Sequence, residues 1–270
     1  MAAPKTTPLL DDLRAISTAQ REEFRENGHI HVRGLVSPAE MAVYRPLIVD
    51  LVRRHRSERR RPFEKEHGGR ASAMNLWRSD EGIRRLVLSR RLGQVAADLL
   101  GVGNVRIYHD QAVFREPGAG PLPWRQDQFY RPLDTASTIT LWMPLTDVSL
   151  EMGMLTFAAG SQRNGLAPDQ RPADESENRL RKYIKDHQFP ITRAAGMRAG
   201  DGSWHCGNTL YSIPANDSDR TQEMMTVIYM ADGARVVQAA HERQAEDWNN
   251  WLMGLPPGRL AASELNPLVL

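Results

Sequence analysis

Apolar positions along this chain recur at two different periods, and the change falls near residue 104. Before it, Ile83, Leu86, Val87, Leu92, Val95 and Leu99 recur at helical spacing, interrupted near Ser89 and closed by Gly101, which predicts two short helices over 80–100. Further upstream, Ser17 with Gln20 has the grammar of a capping box, and Ser37-Pro38-Ala39-Glu40 supplies a cap, a first-turn proline and an acid at the third position. A helix should follow each, the first ended by Gly28 and the second reaching about residue 56, with a short strand at 29–32 between them. From 105 onward the pattern becomes short β-prone runs punctuated by Gly and Pro, at 105–114, 124–130, 138–143, 154–157, 188–193, 202–206 and 224–230. Strands at this spacing predict a sandwich or barrel.

The stretch 163–186 is charged and without period, and is read as a surface insertion able to act as a lid. Beyond residue 234, the pair Trp248 and Trp251 followed by Pro256-Pro257-Gly258 predicts a tail that packs back on the barrel. One domain results: helices over 17–100, a barrel over about 104–234 and a tail over 235–270.

Charge narrows the function class. Lys and Arg number 35 against 33 Asp and Glu, so no net field points to nucleic acid or a membrane surface, and a small-molecule substrate is the expected partner. The basic run at 53–61 lacks interleaved aromatics and reads as a solvated helix end. The single cysteine, Cys206, excludes an internal disulfide and fits a reducing, cytoplasmic compartment. Neither an export signal nor a long apolar run is read in the chain.

Several phrases then fall into one order: Phe24-Arg25-Glu26-Asn27-Gly28, Val32-Arg33-Gly34-Leu35, Tyr108-His109-Asp110-Gln111, Glu116-Pro117-Gly118, and Pro123-Trp124-Arg125-Gln126-Asp127-Gln128. Thr140-Leu141-Trp142-Met143-Pro144-Leu145, Gly160-Ser161, Gly200-Asp201, Asn216-Asp217-Ser218 and Leu265-Asn266-Pro267 continue the series. Together they resemble the phytanoyl-CoA dioxygenase family from about residue 16 to the end. The resemblance implies a double-stranded β-helix, a jelly-roll barrel with flanking helices whose mouth holds Fe(II) and 2-oxoglutarate.

The same resemblance marks three departures. The family holds iron with a His-x-Asp pair and a distant histidine, a two-histidine-one-carboxylate face. Here the pair reads Arg125-Gln126-Asp127, and Tyr211 stands at the place of the distant histidine. A guanidinium has no lone pair to donate, and a phenol of pKa near ~10 is a poor Fe(II) ligand at neutral pH. Gln222 stands where the family places the arginine that grips the 2-oxoglutarate carboxylate, and an amide cannot form that charged fork. The expectation is therefore a barrel without iron or 2-oxoglutarate and without a metal site. Period-two alternation along 124–130 would set Arg125 beside Asp127, so that an ion pair replaces the metal cation.

The candidate catalytic residues are Arg125, Asp127, His205 and Tyr211, with His109, Gln111, Trp124, Arg131, Trp142 and Gln222 as candidate substrate contacts. Gln162, where the family usually has histidine, indicates altered mouth chemistry, and Arg115 reads as a surface charge at a strand end. The leading function is acid/base chemistry (cyclisation, isomerisation, elimination or hydrolysis) on a hydrophobic, oxygenated metabolite. Two other readings stay open. One is a non-catalytic partner that pairs with an intact homologue or with itself. The other is an oxygenase with an unusual iron site, in which His205 or His109 joins Asp127.

Overall fold

The computed structural model describes residues 7–58, 69–168 and 174–270, so part of the basic run at 53–61 and part of the stretch 163–186 lie outside the described residues. In chain order the elements are α1 (Thr18–Asn27), β1 (His29–Val32), α2 (Pro38–Glu58), β2 (Arg70–Met74), α3 (Glu81–Val87), α4 (Arg90–Leu100), β3 (Val105–Arg115) and β4 (Leu122–Arg125). They continue as β5 (Thr138–Pro144), β6 (Val148–Ser149), β7 (Thr156–Ala158), α5 (Asp174–Asp186), β8 (Ile191–Arg193), β9 (Gly196–Met197), β10 (Gly202–Cys206), β11 (Tyr211–Ile213), β12 (Gln222–Ala231) and α6 (Glu242–Trp251).

The helix starts follow from side-chain oxygens that satisfy otherwise orphaned N–H groups. Ser17 Oγ accepts from Gln20 N at 3.2 Å while Ser17 N donates to Gln20 Oε1 at 3.0 Å, and the helix ends at Gly28 with φ 75°. Glu40 Oε2 accepts from Ser37 N at 2.7 Å at the head of α2. The break near Ser89 is the cap of a new helix, since Ser89 Oγ accepts from Leu92 N at 3.3 Å.

Two antiparallel sheets build the barrel. The larger has the order β1-β10-β5-β12-β3-β2 and the smaller β4-β11-β7-β8. This is the mostly-β jelly-roll class with flanking helices that the sequence predicts. Strand β5 is buried along its whole length because one face meets the helices and the other the smaller sheet. On the helical side Leu86, Val95, Ile107, Leu141, Val227 and Tyr229 form one continuous core. Between the sheets Trp142, Phe157, Ile213 and Met224 form another, and at about 1.5–3 kcal/mol per large apolar side chain these two layers dominate the stability. No helix among the described residues is long and apolar enough to cross a membrane.

The structure corrects four local expectations. The run 124–130 is not one strand: β4 stops at Arg125, and Asp127–Tyr130 forms a turn of 3-10 helix. The stretch 163–186 contains α5, docked through buried Leu180 and Ile184 onto Trp124, Ala158 and Leu210, a helical apolar pair hidden among charges. The last predicted strand before the 202–206 run is shortened to Ile191–Arg193, because Gln188 has φ 54° and Phe189 N still bonds Ile184 O as the helix ends. Finally, β2, β6, β9, β11 and α6 were not predicted as elements; β2 is an edge strand of small and polar residues, Arg70-Ala71-Ser72-Ala73-Met74.

Candidate active site

Between the sheets lies an open cavity of about 560 Å³. Arg70, His109, Gln111, Arg115, Arg125 and Asp127 are among its lining residues, as are Arg131, Trp142, His205, Tyr211, Gln222 and Trp251. At its wall stands Asp127, delivered by the turn after β4. Its Oδ2 accepts from Thr140 Oγ1 at 2.7 Å and from Arg131 Nη2 at 3.0 Å, and faces His205 Nε2 at 3.3 Å. Its Oδ1 accepts from the Tyr211 hydroxyl at 2.8 Å. Strand register explains the convergence: Thr140 of β5 pairs with His205 of β10, and Tyr211 of β11 pairs with Arg125 at the end of β4.

Burial alone would raise the Asp127 carboxyl, but the Arg131 guanidinium and then the His205 hydrogen bond overcome it and hold Asp127 well below the usual carboxylate range. Asp127 is therefore an anion at any working pH. The Tyr211 phenol is pushed the other way, first by burial and then by the Asp127 charge, so it stays a neutral hydrogen-bond donor. With Asp127 ionised, His205 presents Nε2–H to it, and its Nδ1 is buried with no partner.

Asp127, His205 and Tyr211 thus form one cluster. Arg125 does not pair with Asp127, contrary to the expectation. Since the strand ends at Arg125, the alternation that would align the two side chains is lost; Arg125 bonds Pro123 O at 3.3 Å, and Arg131, one helical turn beyond Asp127, takes the carboxylate instead. Arg131 is 4% exposed and belongs to the site's interior. His109, Gln111, Trp142 and Gln222 line the cavity. Trp124 packs against α5 behind the wall and is not among the lining residues. Gln162 lies elsewhere, donating to Arg25 O and Glu26 O at the end of α1.

Sequence reasoning missed Thr138 and Thr140, which position Arg131 and Asp127, and Tyr108, whose hydroxyl donates to Asp247 at 2.9 Å. It also misplaced Arg115, which is 1% exposed rather than a surface charge. Arg115 is the direct cross-strand partner of Gln222 between β3 and β12, a placement that no local sequence pattern marks.

A model of the phytanoyl-CoA dioxygenase family matches residues 24–224. The chain belongs to that family. The non-heme alpha-ketoglutarate-dependent carbocyclase SnoK from nogalamycin biosynthesis is 25% identical, with TM-score 0.77 over 94% of this chain and 97% of that one. The epimerase SnoN from the same biosynthesis, in complex with Fe3+, alpha ketoglutarate and nogalamycin RO, has 23% identity and TM-score 0.73 over 93% and 97%. EctD from S. alaskensis with bound Fe has 17% identity and TM-score 0.69 over 87% and 86%. No curated protein matches the sequence.

These comparisons correct the expectation of a barrel without cofactors. The family is one of dioxygenases, SnoK is described as alpha-ketoglutarate dependent, and the SnoN and EctD structures hold iron, so the fold points to iron and 2-oxoglutarate rather than to none. The donor set of this phytanoyl-CoA dioxygenase family member nevertheless does not fit an ion held in the family's way. Among the described residues no group of three or more His, Cys, Asp and Glu side chains is placed to hold a metal. The Asp127 carboxylate already accepts from four protein donors, one of them a cation 3.0 Å away.

Proposed function

We propose that this family member is an enzyme of specialised metabolism that rearranges a hydrophobic, oxygenated small molecule by proton transfer, in the class of cyclisations and isomerisations. One observation carries the reading: an Asp127 carboxylate kept anionic and hydrogen-bonded to Tyr211, with His205 beside it, on the wall of an open cavity of about 560 Å³. That volume is in the range of sites for ligands of several rings. Enzymatic neighbours on the same fold, a carbocyclase and an epimerase, support the class of reaction.

In this reading Asp127 stays ionised and orients the two groups bonded to it. His205 moves the proton, and the neutral Tyr211 phenol hydrogen-bonds a substrate oxygen. Arg125, whose guanidinium bonds Pro123 O among the described residues, stabilises the enolate or alkoxide that forms when the proton leaves. Trp142, Gln111 and His109 give the substrate apolar and polar walls, and Arg131 fixes the anion from behind.

The test begins with a panel of hydroxylated polycyclic ketones ranked by their effect on Tm, followed by turnover of the best binder with and without Fe(II) and 2-oxoglutarate. A His205→Phe, Tyr211→Phe double variant should lose about 10²–10⁴-fold in rate while still binding. Unchanged turnover by that variant would sink the reading.

A further inference from the structure

Helix α6 brings to the cavity a second carboxylate, one that the proton-transfer cluster does not use. Just past the helix, Leu252 is fully buried in a cluster with Tyr108, Leu133, Ile228 and Met230. In its first turn Gln244 Nε2 donates to Phe129 O at 3.2 Å. Held at both ends, the helix lends Asp247, Asn250 and Trp251 to the cavity lining. Asp247 Oδ2 accepts from the Tyr108 hydroxyl at 2.9 Å, and the Trp251 ring lies 4.7 Å from that of His109, the next residue of β3.

The charges around this corner leave Asp247 without a counter-ion. Glu246 also lines the cavity, but it is half exposed and paired with Arg243 at 3.0 Å. Arg131 reaches Asp247 with its field, yet its guanidinium is bonded to Asp127 and to the Thr138 and Thr140 hydroxyls. His109 adds no cation: burial, then the Arg131 charge, hold its ring down to about 3, so it is neutral. Among the described residues Asp247 has no ion-pair partner, and the group it accepts from at 2.9 Å is a neutral phenol. Burial raises its carboxyl to about 6 against the Tyr108 hydrogen bond and the Arg131 charge, which leaves it ionised above pH 7 and short of compensation. The other arginines are remote. Arg115 is six residues from His109 along β3, about 20 Å at ~3.3 Å per residue, Arg70 is its cross-strand partner, and Arg125 bears on Arg70.

We infer that Asp247 and Trp251 bind a protonated amine, so that the molecule taken by this cavity carries a basic nitrogen besides the oxygen functions of the proposed reaction. An ammonium N–H donates to a carboxylate in a charge-assisted bond, and its charge is attracted to the face of an indole. A substrate hydroxyl can make the first contact but gains nothing from the second. The corner offers both on one helix, four residues apart, where side chains one turn away share a face. Tyr108 is a positioning residue here, since its hydroxyl fixes Asp247 Oδ2 and leaves Oδ1 for the ligand.

The inference rests on the reading of this cavity as the substrate site, but binding is measured without turnover, so the two fail separately. The experiment is calorimetric titration of the whole protein at pH 8 and low salt with 2-naphthylmethylamine, with 2-naphthalenemethanol as the neutral control. Saturable binding of the amine, about tenfold or more tighter than that of the alcohol, is expected. Asp247→Asn should bring the amine down to the level of the alcohol and leave the alcohol unchanged, whereas Glu246→Gln should keep the preference. Trp251→Leu leaves the carboxylate in place and should weaken the amine about threefold more than the alcohol; it carries the test if Asp247→Asn does not fold. No binding of the amine, an alcohol bound as tightly as the amine, or a preference that survives Asp247→Asn or is abolished by Glu246→Gln overturns the inference.

Discussion

Asp127 is the residue on which most of the site's electrostatics turns. Four donors hold it, so removing Arg131 strands a mostly buried anion; Arg131→Gln should cost about 3–5 kcal/mol in urea unfolding at pH 7, the range for breaking one partner of a buried pair. The pH dependence has a definite sign. The folded-state pKa of Asp127 is depressed below the unfolded value near ~3.9, so its contribution is fully present above that pH and is lost as pH falls through the lower folded value. Stability of Asp127→Asn should therefore be flatter than wild type below about pH 4. Gly207 is constrained by the same network, since a methyl there would collide with the Thr138 hydroxyl and press on Gln128 and Arg131. Gly207→Ala should cost about 1–3 kcal/mol, as overpacking does, with a larger loss of turnover than of Tm.

At the scale of elements, the caps and the helical recurrence carried their information locally, and for that reason α1, α2, α3, α4 and β1 could be read from the sequence. The Asp127 cluster was legible as residue types, because Asp127, His205 and Tyr211 were each identified. Its wiring was not. Whether Arg125 or Arg131 meets Asp127 depends on the strand ending at Arg125, which is set by the tertiary pairing of β4 with β11 and by no local pattern. Helix α5 was hidden by its charged composition, and α6 by having no buried residue of its own.

Helix α6 closes one side of the cavity with Trp251, whose ring lies 4.7 Å from that of His109. Trp251→Ala should weaken ligand binding while lowering Tm little, since Trp251 is only partly buried. Asp247 on the same helix is raised to about 6 by burial, against the opposing Tyr108 hydrogen bond. With a folded pKa above its unfolded value, Asp247 favours the folded state at low pH, and that contribution is lost as pH rises from about 4 to 6. Asp247→Asn should remove this part of the stability profile, measured by chemical unfolding at a series of pH values.

For the whole molecule, two sheets and their helical backing hold the apolar core, and the polar cluster lies where the fold leaves an opening. The cavity lining is chemically mixed, with Arg70, Arg115 and Arg125, the Asp127 group, and Glu246 and Asp247 of α6 all among its residues. Family membership fixes the scaffold, and in the proposed reading the chemical fate of a substrate proton is the deciding quantity. The most direct measurement is turnover in D2O of the ligand that most raises Tm, with the product read by mass spectrometry and NMR. Solvent deuterium at the reacting carbon, lost in His205→Phe, is the predicted result. Product without solvent deuterium, formed at the same rate by His205→Phe, would contradict the account.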